Sequence, residues 1–147
     1  MNIMRFLTPK AEVEYLESDF TLRQGLEKMK YHGYSEIPVI DGKGHYFGSV
    51  TLGDFLWALY DDNNPKRAEL EKLPLKNIIR PDYNPCVTAN VSIDAVLTKA
   101  ITQNFVPVVD DRGVFIGIIK RSTIIRYLAT VKTSLPTEAE KSNEKHS

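Results

Sequence analysis

The stretch from Ile37 to Val50, "IPVIDGKGHYFGSV", consists of two short apolar runs around a glycine-rich turn, and it is written a second time as "VPVVDDRGVFIGII" from Val106 to Ile119. Pro38 and Pro107, Asp41 and Asp110, Gly44 and Gly113, and Gly48 and Gly117 are each 69 positions apart. The apolar positions keep the same register: Ile37 answers Val106, Val39 answers Val108, Tyr46 answers Phe115 and Val50 answers Ile119. Punctuation and apolar pattern repeating together identify an internal duplication, and a duplication decides the architecture before any single element does. Upstream, "DFTLRQGLEKM" aligns with "NVSIDAVLTKA" at a spacing of 71, and "FLTP" at Phe6 to Pro9 answers "IIRP" at Ile78 to Pro81. The chain is two copies of a unit of roughly 60 residues.

Within the first copy, Val13 to Leu16 ("VEYL") reads as a short strand. Leu22, Leu26 and Met29 then recur at helical spacing behind a Ser18 to Thr21 entry, with Gly33 as a left-handed stop. "EIPVID" and "HYFGSV" are β-branched and aromatic runs joined by Gly42-Lys43-Gly44, the signature of a hairpin. Leu52, Phe55, Leu56 and Leu59 fall on one helical face, which Asn63, Asn64 and Pro65 end. The second copy repeats the order: "CVTA" as a strand, a helix through Ile93, Val96, Leu97 and Ala100, the hairpin, and a helix through Ile124, Ile125 and Leu128. The fold class is therefore mixed α/β (α+β), with two β-α-β-β-α repeats, two small sheets and flanking helices. Repeat 1 spans 1–62, an exposed linker 63–76 with a helical turn at "RAELEKL", repeat 2 77–131, and a disordered tail 132–147, which is polar and has no apolar period.

Composition bounds the function. A chain of 147 residues can bury roughly two thirds of its unfolded surface, so its core needs no covalent staples. Its one cysteine, Cys86, excludes an internal disulfide and has no metal-ligand spacing around it. Nineteen basic residues balance nineteen acidic ones, so no overall field draws the molecule to nucleic acid or to anionic lipid. No apolar run approaches the roughly 20 residues of a membrane span, and the first residues lack a secretory pattern, so the expected location is the cytosol. GxxxxGK[ST], HExxH and GxSxG are all missing, and no paired acids stand out; neither an enzyme nor a cofactor is expected.

The phrases "GYSEIPVIDGKGHYFGSVTLGDF" and "NFVPVVDDRGVFIGIIKRSTII" resemble the cystathionine-β-synthase (CBS) domain pair, over residues 1–131. The resemblance implies a pseudo-twofold Bateman module with two sheets packed together and two clefts at their seam. It also implies an adenosine-containing nucleotide (AMP, ADP or ATP) as regulatory ligand, a homodimer, and an effect transmitted to a protein partner. The compact architecture is also similar to the stand-alone bacterial CBS pairs that bind cyclic di-AMP, whose second helix typically starts with Thr-Arg where this chain has Lys120-Arg121. A ligand-free dimerisation or interaction module is the third reading.

A hairpin that feeds a helix brings free backbone N–H groups and the positive end of the helix dipole to a cleft mouth, which suits phosphate. In the first copy Thr51 and Asp54 ("TLGD") stand there, one helical turn apart, and match the Ser/Thr-x-x-Asp that CBS pairs use on ribose hydroxyls. Tyr15, Tyr34, Ile37 and Pro38 are candidate apolar faces for adenine, with Phe105, Val106 and Pro107 as counterparts in the second copy. Lys120 and Thr123 replace Thr51 and Asp54 in the second copy, so the ribose carboxylate is missing there, and Lys120 and Arg121 offer charge for a phosphate instead. Each has a plainer reading too: Asp54 as an early-helix acid, Lys120 and Arg121 as solvated charges, and Tyr34 and Phe105 as core.

Overall fold

The structure, a computed structural model, describes residues 2–60, 69 and 71–133. The duplicated hairpins form as the sequence implies. Strand β3 (Glu36–Ile40) pairs antiparallel with β4 (Tyr46–Thr51), and β6 (Phe105–Val109) with β7 (Phe115–Lys120). The repeated aspartate explains the repeated turn. Asp41 Oδ1 accepts from the N–H groups of Lys43 and His45, both at 2.9 Å, and Asp110 Oδ1 accepts from those of Arg112 and Val114 at 2.8 and 2.9 Å. A side chain that satisfies two turn N–H groups fixes the loop without help from the rest of the fold. Both ladders break register at the same place, between Val39 and Ile40 and between Val108 and Val109.

Among the described residues, four α-helices of eight residues or more flank the sheets. Helix α1 (Leu22–His32) starts at a reciprocal cap, in which Thr21 Oγ1 accepts from Gln24 N–H while the Gln24 side chain accepts from Thr21 N–H. It stops at Gly33, whose φ of +72° a glycine adopts without steric cost. Helix α2 (Leu52–Leu59) follows β4, α3 (Ile93–Ala100) follows the Ser92 cap, and α4 (Arg121–Thr133) follows β7. Short strands β2 (Leu16–Glu17) and β5 (Val87–Thr88) pair in parallel with β3 and β6. The sequence pattern places the first strand at Val13 to Leu16; it forms only at Leu16, because Val13 and Tyr15 pack instead into the seam between the repeats.

Duplication alone does not reveal that the leading segment of each copy packs on the other copy. Strand β1 (Thr8–Pro9) pairs with β7, giving sheets of order β1-β7-β6-β5 and β2-β3-β4. Ile3 and Phe6 are buried with Val87, Val96 and Ile119 of the second copy, whereas Leu75, with Ile78 and Ile79 beside it, enters the first core with Leu16, Met29 and Phe55. The repeated glycines are the contact points of this exchange. A Cβ on Gly117 would run into the Thr8 carbonyl and Leu7, and one on Gly48 into Ile79. Leu7 and Ile79 are equivalent in the repeat, so one steric requirement is met twice.

A third cluster, Ile40, Phe105, Phe115 and Ile118, with Val13, Tyr15 and Tyr46 packed against it, joins the repeats. The hairpins also touch directly, through a bridge between His45 and Val114 and a 2.9 Å bond from Phe115 N–H to the Gly44 carbonyl. Of the expected tail (132–147), residues 132 and 133 continue α4 and the rest lies outside the described residues, as do Arg67, Ala68 and Leu70 of the expected linker turn. Of the apolar face expected on α2, Phe55 is buried, but Leu52 and Leu56 are exposed.

Candidate functional site

A cavity of about 430 Å³ opens at the seam, within the size range of small-molecule sites. One wall comes from the first repeat, with Tyr34, Glu36, Ile37 and Pro38 from α1's exit and β3. The facing wall is Asn104, Phe105 and Ile118 of the second repeat, with Ile125 of α4. Lys120, Arg121 and Ser122, at the junction of β7 and α4, bring two cations and a helix N-terminus to the rim, and Glu12 to Glu14 close the remaining side. Apolar faces in the middle and positive charge at one end suit a flat, aromatic, anionic ligand.

The charges on the rim are not equally free. Arg121 Nε donates to the Gln103 carbonyl at 3.1 Å, which fixes the guanidinium and leaves its terminal N–H groups for a ligand. Lys120 is exposed, and its side chain makes no hydrogen bond or ion pair among the described residues. Two of the three acids in the cavity lining, Glu36 and Glu14, have partners. Glu36 accepts from the Tyr83 hydroxyl at 2.7 Å and from Asn104 Nδ2 at 2.9 Å, and Glu14 faces His32 at 3.3 Å and Lys28 at 3.8 Å.

Six of the twelve residues singled out from sequence meet in this cavity: Tyr34, Ile37, Pro38, Phe105, Lys120 and Arg121. The other six do not line it. Tyr15 packs edge-on against Phe115 with ring centres 6.5 Å apart, and Lys10 and Lys28 lie over its ring. Val106 faces the second core, Pro107 is buried opposite Ile118 in the β6 and β7 ladder, and Thr123 is half-buried on α4.

Thr51 and Asp54 differ most from the expectation of an open ribose clamp. They cap α2 reciprocally: Thr51 Oγ1 accepts from Asp54 N–H at 3.1 Å, and Asp54 Oδ2 accepts from Thr51 N–H at 2.8 Å. The carboxylate is then closed off by Arg80, whose Nε lies 2.8 Å from Asp54 Oδ1 and whose guanidinium lies 3.7 Å from the centre of the Tyr83 ring. Desolvation works against the Arg80 charge, but the hydrogen bond and charge of Asp54 more than offset it and raise its pKa. The Tyr83 phenol is pushed up to about 12, by desolvation first and by its bond to Glu36 second. Sequence reading missed Arg80, Tyr83, Glu36 and Asn104. The available signal was the repeat itself: Arg80 stands where the other copy has Thr8, so the two halves differ in charge at a shared position.

The CBS domain profile matches residues 5–61 and 75–130. A CBS domain-containing protein of Dictyostelium discoideum is 28% identical over 134 residues, covering 82% of this chain and 88% of the relative. Among solved structures, CbpB of Listeria monocytogenes in complex with cyclic di-AMP superposes with a TM-score of 0.80 at 20% identity, over 90% of this chain and 98% of that one. CBSX2 in complex with AMP superposes with a TM-score of 0.71 at 22% identity, over 89% and 98%. At such identities the superpositions establish a shared fold.

Proposed function

The chain belongs to the CBS domain family, and on that premise we propose that it is a non-catalytic regulatory module that binds an adenine nucleotide in the seam cavity and passes the effect to a protein partner. The observation that carries this reading is the convergence of apolar walls from both repeats with Lys120, Arg121 and the start of α4 on one opening. The adenine is held between Tyr34, Ile37 and Pro38 on one side and Phe105 on the other, and the phosphates meet Lys120 and Arg121. A ligand that touches both repeats at once changes their relative placement, because it binds one arrangement better than another.

Mononucleotides are the first candidates. Cyclic di-AMP is the second, favoured by two adjacent cations for two phosphates and by the ligand held in the Listeria structure. A thermal-shift panel of AMP, ADP, ATP, S-adenosylmethionine and cyclic di-AMP separates them. A ligand at 100 times its dissociation constant adds about 2.7 kcal/mol, a melting shift of several degrees. Lys120→Ala with Arg121→Ala should weaken AMP or cyclic di-AMP far more than adenosine, and equal losses would remove the phosphate assignment. Indifference to the whole panel would favour a ligand-free interaction module.

A homodimer belongs to the same reading. Leu56, Trp57 and Tyr60 on and beside α2, and Ile125 and Leu128 on α4, are large apolar side chains left in solvent, Trp57 at 74% of its full exposure. Sedimentation of the wild type as a dimer and of Trp57→Glu as a monomer is the expected pair of results. A monomeric wild type would remove the dimer.

A further inference from the structure

The repeat makes two clefts equivalent in principle, yet the chain treats them differently. At the second repeat's helix start the three equivalent positions are Thr8, Lys120 and Thr123, and Lys120 lines the open cavity. At the first repeat's helix start they are Arg80, Thr51 and Asp54, and the Arg80 guanidinium sits on the Asp54 carboxylate. The Asp54 side chain is left only 9% exposed, whereas that of Arg80 is 50% exposed.

Arg80 is held from its other face as well. Its guanidinium lies over the Tyr83 ring, and the Tyr83 hydroxyl is anchored on Glu36, which also receives Asn104 from the second repeat. Asp54, Arg80, Tyr83, Glu36 and Asn104 thus form one continuous chain of contacts across the seam, ending at the wall of the open cavity. The loop that carries Tyr83 is set by two non-glycine residues in left-handed conformations, Asp82 at φ +60° and Asn84 at φ +54°. Asn84 is buried: its Nδ2 donates to Ser49 Oγ at 3.1 Å, and its carbonyl accepts from the Tyr46 hydroxyl at 2.7 Å. The fold therefore commits a buried polar network to holding this loop where Tyr83 supports Arg80.

We propose that Arg80, backed by Tyr83, is an intramolecular plug that occupies the first cleft, so that the chain presents one nucleotide site where its duplicated fold has room for two. The proposal rests on the nucleotide reading of the open cavity. It assigns Arg80 to controlling the number of sites; holding the fold together is a minor role, since a half-exposed ion pair adds little to stability.

Replacing Arg80 by threonine, the residue at its place in the other half, tests this, with AMP as the probe and the number bound per chain read by equilibrium dialysis. Wild type should bind one AMP and Arg80→Thr two. Adding Asp54→Ala to Arg80→Thr should return the number to one, which identifies the new site. Arg80→Gln, which keeps most of the side chain and discards the charge, should behave like Arg80→Thr, and it replaces that variant if Arg80→Thr does not fold. Two AMP molecules on wild type, or one on wild type and on both variants, would overturn the plug and leave the nucleotide reading standing. None on wild type and one on Arg80→Thr would support the plug and refute the open cavity as a nucleotide site. No binding to any of them would overturn both.

Discussion

Lys120 occupies the position before α4 that Thr51 occupies before α2, and replacing it by threonine should move stability and ligand affinity in opposite directions. At Thr51 the side-chain oxygen accepts from the N–H three residues on at 3.1 Å. The backbone at Lys120 is prepared in the same way: Lys120 pairs with Phe105 as Thr51 pairs with Glu36, and Arg121 N–H bonds the Asn104 carbonyl at 2.9 Å as Leu52 N–H bonds that of Ser35 at 3.0 Å. A lysine side chain accepts no hydrogen bond and adds positive charge to the positive end of the helix. Threonine would restore the cap, contributing about 1 kcal/mol, and would remove a charge repulsion of about 0.3 to 1 kcal/mol. At about 2 to 4 °C per kcal/mol for a chain of this length, Lys120→Thr should melt roughly 3 to 8 °C above wild type in the scanning calorimeter. The same change removes a cation from the cavity rim. An exposed charge a few ångströms from a phosphate contributes about 1 to 2 kcal/mol, towards the solvent end of the Coulomb range, so AMP should bind about 5- to 30-fold more weakly by titration calorimetry. Adenosine should be unaffected. A variant that melts below wild type would refute the capping argument, and one that keeps full affinity for AMP would refute the role of Lys120 in the cavity.

Two further outcomes follow from the same geometry. Asp54→Ala removes a charged acceptor from the Thr51 N–H and the partner of Arg80, so it should cost about 1.5 to 3 kcal/mol in urea unfolding. Because Asp54 does not line the open cavity, the AMP affinity of Asp54→Ala should stay within about two-fold of wild type; a loss of an order of magnitude would return the nucleotide to the first cleft. The Tyr83 phenol should titrate near 12 by ultraviolet absorbance, above its ordinary 10. The folded state holds this proton more tightly than the unfolded chain. The stabilisation from it is therefore complete below pH 10 and is lost as the pH rises towards 12. Tyr83→Phe should flatten part of that decline, and an unchanged profile would break the link to Glu36.

The duplication was legible because its markers have local causes. Asp41 and Asp110 each close a turn on their own backbone neighbours, and Thr21 and Gly33 bound α1 through contacts within a few residues. Gly48 and Gly117 were visible as a repeat, but their cause was not. It lies in segments some 30 and 110 residues away, Ile79 on one side and Leu7 with Thr8 on the other. The exchange of leading segments has no local signature either: Phe6 and Ile78 read as ordinary apolar residues, and only tertiary packing decides which core receives them. At the site, residues read as apolar walls or rim cations could be anticipated from type and position. The closing of Asp54 could not, since "TLGD" looks the same whether its carboxylate is free or held by an arginine 26 residues on.

The most direct measurement is an amide chemical-shift map of the protein titrated with AMP. Saturable shifts at Tyr34, Ile37, Phe105, Lys120 and Ser122, drawn from both repeats, are the predicted result. Shifts confined to one repeat, or centred on Thr51 and Asp54, would contradict a shared nucleotide pocket at the start of the last helix.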